Sequence, residues 1–183
     1  QMLARYQLTN TGSAEKEFIL ALAAQPWQVN PPTQFLSTQG GFSPARFLSI
    51  NQDGEVMTDP DGLVDGVLEN LGIAVRALQV PDATLATSFD EGMVVERLMG
   101  EGELFAEGPV RPSAAGDDMG LASGALLYRM TLQPGQTREV VVYAPYAQLR
   151  SQHGEKHSLE TPEIRAPNYH GFDIDAAQET VAA

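Results

Sequence analysis

The strongest constraint on the fold is a period-two pattern that recurs in short runs and is soon broken. Leu126, Tyr128, Met130 and Leu132 sit at every second position, Gln133-Pro134-Gly135-Gln136 interrupts the run, and an apolar return follows at 139–143. Alternation of this kind puts one set of side chains on one strand face, so a turn between two such runs predicts a hairpin. At the start of the chain, Ala4, Tyr6 and Leu8 alternate with Arg5, Gln7 and Thr9, the pattern of a strand with one wet face. Asn10-Thr11-Gly12-Ser13 supplies turn residues, and residues 16–23 form a second strand, apolar on both faces from Phe18 to Ala23. That composition predicts a central strand, and the short polar connection predicts that the two runs pair antiparallel.

The middle of the chain follows the same grammar. Residues 46–50 and 55–58 flank Asn51-Gln52-Asp53-Gly54, whose Asp-Gly step predicts a hairpin. Asp59-Pro60-Asp61-Gly62 breaks the chain again, and residues 73–80 and 83–89 read as two further strands around Pro81-Asp82. One helix is expected, at 90–99, where Val94 and Leu98, and Val95 and Met99, are four apart and Gly100 follows. Ser88 with Glu91 has capping-box spacing, and Asp90 is a rival N-cap. Residues 26–44 are rich in Pro, Gln, Gly and Phe and read as a long ordered loop, and 101–120 as a polar loop.

These elements predict a mainly β protein: an antiparallel β-sandwich over 1–146 with one short inserted helix and an extended C-terminal tail. A chain of 183 residues, 43% hydrophobic, buries roughly two thirds of its unfolded surface, enough for one core. Residues 147–174, charged and carrying all three histidines, read as a linker or wrapping tail. Residues 175–183 read as an N-capped helix cut off near its second turn, the start of a following domain, so an excised module of a longer polypeptide is expected.

Charge excludes some partners. With 24 acidic against 11 basic residues the formal charge is −13, which repels a nucleic-acid backbone and disfavours anionic membrane surfaces. There is no cysteine, hence no disulfide framework, thiolate metal site or cysteine nucleophile. No apolar run reaches the roughly 18 to 20 residues that span a bilayer.

Few residues suggest chemistry. His153 and His157 have the spacing of zinc ligands on a helix, but Gly154 weakens the helix and the neighbouring acids are misplaced, so a solvated linker is the better reading and no metal or other cofactor is expected. Asp53, Asp59, Asp61 and Asp65 lack EF-hand spacing and read as turn acids. Asp90 and Glu91 could serve as an acid and a base, yet their place at a helix start favours capping. The loop Pro26-Trp27-Gln28-Val29-Asn30-Pro31-Pro32-Thr33-Gln34-Phe35 is richer. Trp27 and Phe35 with the amides of Asn30 and Gln34 are what a sugar-binding surface uses, the ring stacking on C–H faces while the amides read hydroxyls. The same residues could instead close a sandwich core or an interface, and the single tryptophan favours that reading.

That loop, continued to Gly41, resembles a stretch in large bacterial proteins described as discoidin or coagulation-factor-type domain proteins. Ser88-Phe89-Asp90-Glu91-Gly92 leading into Val95-Glu96-Arg97-Leu98, and Gly120-Leu121-Ala122-Ser123-Gly124-Ala125-Leu126, resemble the same family. The resemblance covers about residues 6–143. It implies a supersandwich-like β-domain ahead of an (α/α) toroid similar to those of glucoamylases. It further implies a carbohydrate-active context with the catalytic acids in the helical domain, no catalytic residue here, and an extracellular or periplasmic setting. The function expected on this basis is a non-catalytic accessory module that packs against and orients the helical domain of the same polypeptide. The alternative is an autonomous carbohydrate-binding module using Trp27, Asn30, Gln34 and Phe35.

Overall fold

The computed structural model describes residues 2–26, 44–64, 67–68, 71–100, 105 and 110–144, with the backbone at 149–150 and 157–158. The chain starts with β1 (Met2–Thr9) and β2 (Lys16–Ala24), then β3 (Phe47–Ile50) and β4 (Glu55–Asp59). Two short strands, β5 (Leu63–Val64) and β6 (Val67–Leu68), precede β7 (Gly72–Ala77), β8 (Ala83–Thr87) and the single turn and a half of α1 (Val94–Met99). The series closes with β9 (Ser113–Gly116), β10 (Ser123–Leu132), β11 (Thr137–Ala144), β12 (Leu149–Arg150) and β13 (His157–Ser158). The protein is mainly β and its sheets are antiparallel, as the period-two runs predict.

Two sheets face each other. The larger runs β1-β11-β7-β4-β3-β9, with β12 also on β7, and the smaller runs β2-β10-β8. Between them lies the main core, where Leu48, Ile50, Val56, Ala77, Val140 and Val142 of the larger sheet meet Leu126 and Tyr128 of the smaller. Each buried aliphatic side chain here contributes about 1.5–3 kcal/mol relative to exposure. The outer faces are apolar too. Phe47, Met57 and Ile73 on the back of the larger sheet pack with Leu68 and Leu71, and β6 itself lies between β5 and β13. On the back of the smaller sheet, Ala125 and Leu127 are covered by Val94 and Leu98 of α1 and by Phe105. Apolar residues on both faces of a strand therefore reflect four stacked layers.

The expected pairing of neighbouring runs fails twice, at 2–24 and at 123–144. β1 pairs with β11 over its whole length, Met2 opposite Ala144 and Thr9 opposite Thr137. β2 pairs with β10, Lys16 opposite Leu132 and Ala24 opposite Gly124. Neither 2–24 nor 123–144 is a hairpin; each is an arch whose two strands enter opposite sheets, and the two arches lie side by side. The physical reason is at the bends. Gln136 N–H bonds the Gln133 carbonyl at 2.9 Å, so the predicted tight turn forms. The turn's remaining backbone groups are bonded by Asn10 of the other arch, whose N–H donates to the Gln136 carbonyl at 3.0 Å and whose carbonyl accepts from Gly135 N–H at 2.8 Å.

Other expectations fare unevenly. The hairpin around Asp53-Gly54 is present, Ile50 opposite Val56, with Gly54 at φ 83. Its organiser is Asn51, whose side-chain oxygen accepts from Asp53 and Glu55 N–H at 3.0 and 2.9 Å. β2, expected to be central, ends its three-stranded sheet among the described strands; core on one face and α1 on the other explain its composition. The stretch 101–120 contains β9, whose Ser-Ala-Ala-Gly sequence has little strand propensity and is held by pairing with β3. In the tail, β12 and β13 pair with β7 and β6. Residues 175–183 lie outside the described residues.

Candidate functional site

Of the residues singled out by sequence, Asp90 and Glu91 are described, in the turn that follows β8 at the end of the sandwich where β10 begins. Ala24, which leads into the Trp27 loop, pairs with Gly124, and Ala45, which follows it, bridges to Leu121. Both ends of the loop are thus fixed beside the start of β10. Trp27, Asn30, Gln34 and Phe35 themselves lie outside the described residues. The second resembling stretch, from Ser88, follows β8, and it meets the third, which opens β10, where Thr87 pairs with Ser123.

Asp90 and Glu91 do not start the helix. α1 begins three residues later, its N-cap residue is Met93, and no side chain of the cap residue bonds the first turn. The cause is Gly92 at φ 94, outside helical space, with its N–H closing a turn onto the Phe89 carbonyl at 3.0 Å. Ser88 keeps half of the expected capping box: its hydroxyl accepts from Glu91 N–H at 3.3 Å, in a turn before the helix. The cap comes from across the fold. Val94 N–H donates to the Ser123 hydroxyl at 3.0 Å, and both residues are fully buried. Buried Thr87 adds a bond from its hydroxyl to the Gly92 carbonyl at 2.9 Å. Gly100 follows the helix in extended geometry, so the helix stops there without a left-handed cap.

The organising residue of this end is Asp117, which the sequence reading passed over. Its carboxylate accepts from Phe89 N–H at 2.7 Å, Met119 N–H at 2.9 Å and Leu121 N–H at 3.1 Å, joining the turn before α1 to the turn before β10. Burial by itself would raise its pKa, but the N–H groups of Phe89, Leu121, Met119 and Gly120 outweigh it and hold the carboxyl below its ordinary value. Its signal in the sequence is the spacing Asp117-Asp118-Met119-Gly120, an acid that bonds the backbone ahead of a glycine. That glycine has φ 76, and an added Cβ there would meet Pro44 Cβ at 2.8 Å.

The two turns carry exposed apolar side chains. Phe89 and Met119 flank the Asp117 clamp, and Met119 is 75% exposed. On α1, Val95 and Met99 are four apart and both exposed, Met99 at 84%. The described part of this end thus carries four exposed apolar side chains, Phe89, Val95, Met99 and Met119, and Asp90 and Glu91 follow Phe89 directly. Among the described residues no group of three or more His, Asp or Glu is placed to hold a metal ion. Asp59 accepts from the N–H groups of Asp61 and Gly62 at 2.9 and 3.1 Å, and Asp53 belongs to the Asn51 turn, so both have turn roles. Asp65 and His153 lie outside the described residues, and His157 is described only in its backbone. Among the described residues no helix is long and apolar enough to cross a membrane.

No protein-family model matches this sequence, and no curated protein and no solved structure is similar to it.

Proposed function

We propose that this chain is a non-catalytic accessory β-sandwich module of a bacterial glycan-processing protein, glycoside hydrolase-like as a whole, that packs against and orients a helical catalytic domain of the same polypeptide. The resemblance of three stretches to the discoidin-type proteins supplies the glycan context. The observation that carries the docking role is the exposed apolar group Phe89, Val95, Met99 and Met119. Solvent-exposed methionine and phenylalanine at separate places on a surface need no explanation, but these sit on two turns clamped by one carboxylate and on the helix next to them. A surface prepared in this way loses little entropy when it is covered.

The test is amide hydrogen exchange of the 183-residue chain alone and with the helical domain of its parent polypeptide. Exchange slowed at 88–99 and 117–121 by the helical domain is the expected result. Unchanged exchange there would overturn the docking role. Saturable binding in a glycan panel, lost in a folded Trp27→Ala variant, would favour an autonomous carbohydrate-binding module instead.

A further inference from the structure

The two sides of the sandwich are finished differently. On one side the sheets end in the short strands β8 and β9, and Thr84 Oγ1 donates to the Arg111 carbonyl just before β9 at 2.7 Å, tying that side together. On the other side both sheets end in their longest lateral strands, β1 and β2, eight and nine residues, and among the described residues nothing pairs with their outer edges. Both ladders run without a register shift, so no bulge twists these edges out of use. Edge strands are commonly guarded by proline, by charge or by bulges. The charges of β2, Lys16 and Glu17, stand at its first two positions, residues 18–24 contain no proline and no charge, and the one charge on β1, Arg5, is paired to Glu139 at 3.4 Å. The main core runs out to solvent here. Leu20 and Leu22 pack against it only partly buried, Tyr6 at the mouth is 43% exposed, and Ile19 on the outer face is 49% exposed.

We propose that this side is a two-fold self-association surface, on which a second copy of the chain extends both sheets, β1 against β1 and β2 against β2. Charge selects a second copy as the occupant. Two molecules of formal charge −13 repel each other, but the first 24 residues hold two acidic and two basic side chains, so the whole excess lies beyond Ala24. β1 and β2 therefore bring no net charge to this side. The strands are also self-complementary. Antiparallel pairing about Tyr6 sets Tyr6 of each copy side by side and Ala4 opposite Leu8; pairing about Leu20 sets Phe18 opposite Leu22 and Ile19 opposite Ala21. No like charges meet in either register. The surface is separate from the end proposed for interdomain docking and does not depend on that reading.

Sedimentation velocity across a dilution series, with amide exchange on the same samples, tests the proposal. The expected result is a reversible dimer in which β1 and β2 exchange more slowly as concentration rises. Tyr6→Glu and Ile19→Glu, both at exposed positions, should each weaken association by about tenfold or more, while Val80→Glu, exposed elsewhere, leaves it unchanged. Circular dichroism confirms that each variant is folded. A monomer at all concentrations overturns the proposal, as does concentration-independent protection of both edges, which would mean that another segment of the same chain covers them. A dimer that both edge variants leave intact overturns it as well.

Discussion

Asn10 donates its side-chain amide to the Leu132 carbonyl at 2.8 Å, a bond between residues 122 positions apart. Asn10 is 1% exposed, and the same amide nitrogen donates to the Ala14 carbonyl at 2.8 Å while its oxygen accepts from Gly12 N–H at 2.9 Å. One side chain thus closes its own bend and joins it to the bend between β10 and β11. Replacing Asn10 by alanine leaves buried backbone groups without partners and should destabilise the protein by about 2–4 kcal/mol. Urea unfolding followed by circular dichroism measures it. A loss below about 0.5 kcal/mol, the scale of a surface substitution, would mean that the arches hold together without this bond.

Gly124 marks the closest approach between layers at the start of β10. A Cβ there would stand 2.7 Å from Leu48 Cδ2 and 2.8 Å from the Leu85 carbonyl oxygen, and the backbone oxygen cannot turn aside. Gly124→Ala should therefore cost about 2–3 kcal/mol through overpacking. Gly135 is the contrast: φ is 76 but nothing lies within 4 Å of its Cβ position. Gly135→Ala should cost about 1 kcal/mol, from the left-handed backbone. Thermal melts of the two variants check the order, and equal losses would contradict the crowding at Gly124.

Acid should loosen the end that Asp117 organises. Because backbone N–H groups hold its folded pKa below the ordinary value of 3.8, its ionised form stabilises the fold above that value. The contribution is lost as pH falls through the folded pKa. Wild type should lose more stability than Asp117→Asn between neutral pH and the acid range below 3.8, narrowing the gap between them. Denaturant midpoints at stepped pH measure this. Parallel pH profiles would show that the carboxylate carries no such linkage.

Alkali acts on the other side of the same argument. Burial, followed by the nearby charge of Asp82, raises the pKa of Tyr128 well above its ordinary value of 10.0, and its hydroxyl donates to the Gln79 carbonyl at 3.1 Å. A raised folded pKa stabilises the protein fully below 10.0 and ceases to do so as pH rises through the folded value. In an ultraviolet titration, one of the five tyrosines should ionise only as the chain unfolds. Tyr128→Phe should remove that late step; its persistence would assign the step to another tyrosine.

At the end where β10 begins, the sequence was poor about roles. Asp90 and Glu91 lie in the turn that follows β8, whose last residue Thr87 pairs with Ser123. Their expected capping role fails because one glycine at φ 94 delays the helix, and helical spacing at Val94, Val95, Leu98 and Met99 does not reveal where the first turn begins. Asp117 and Ser123 were missed because each works on backbone far along the chain: 28 residues away at Phe89 and 29 at Val94.

The sequence by itself determined the mainly β class, the approximate strands and turns, and the hairpin of β3 and β4 at 47–59. Period-two burial and turn chemistry act over a few residues, and a short segment carries them whole. Tertiary structure alone decided that β1 and β2, and β10 and β11, part at their bends and pair across the arches. A turn such as Gln133-Pro134-Gly135-Gln136 fits a hairpin or an arch equally well. The choice falls to whichever group bonds the backbone at the bend, and here that group is Asn10, brought close only when both sheets have formed.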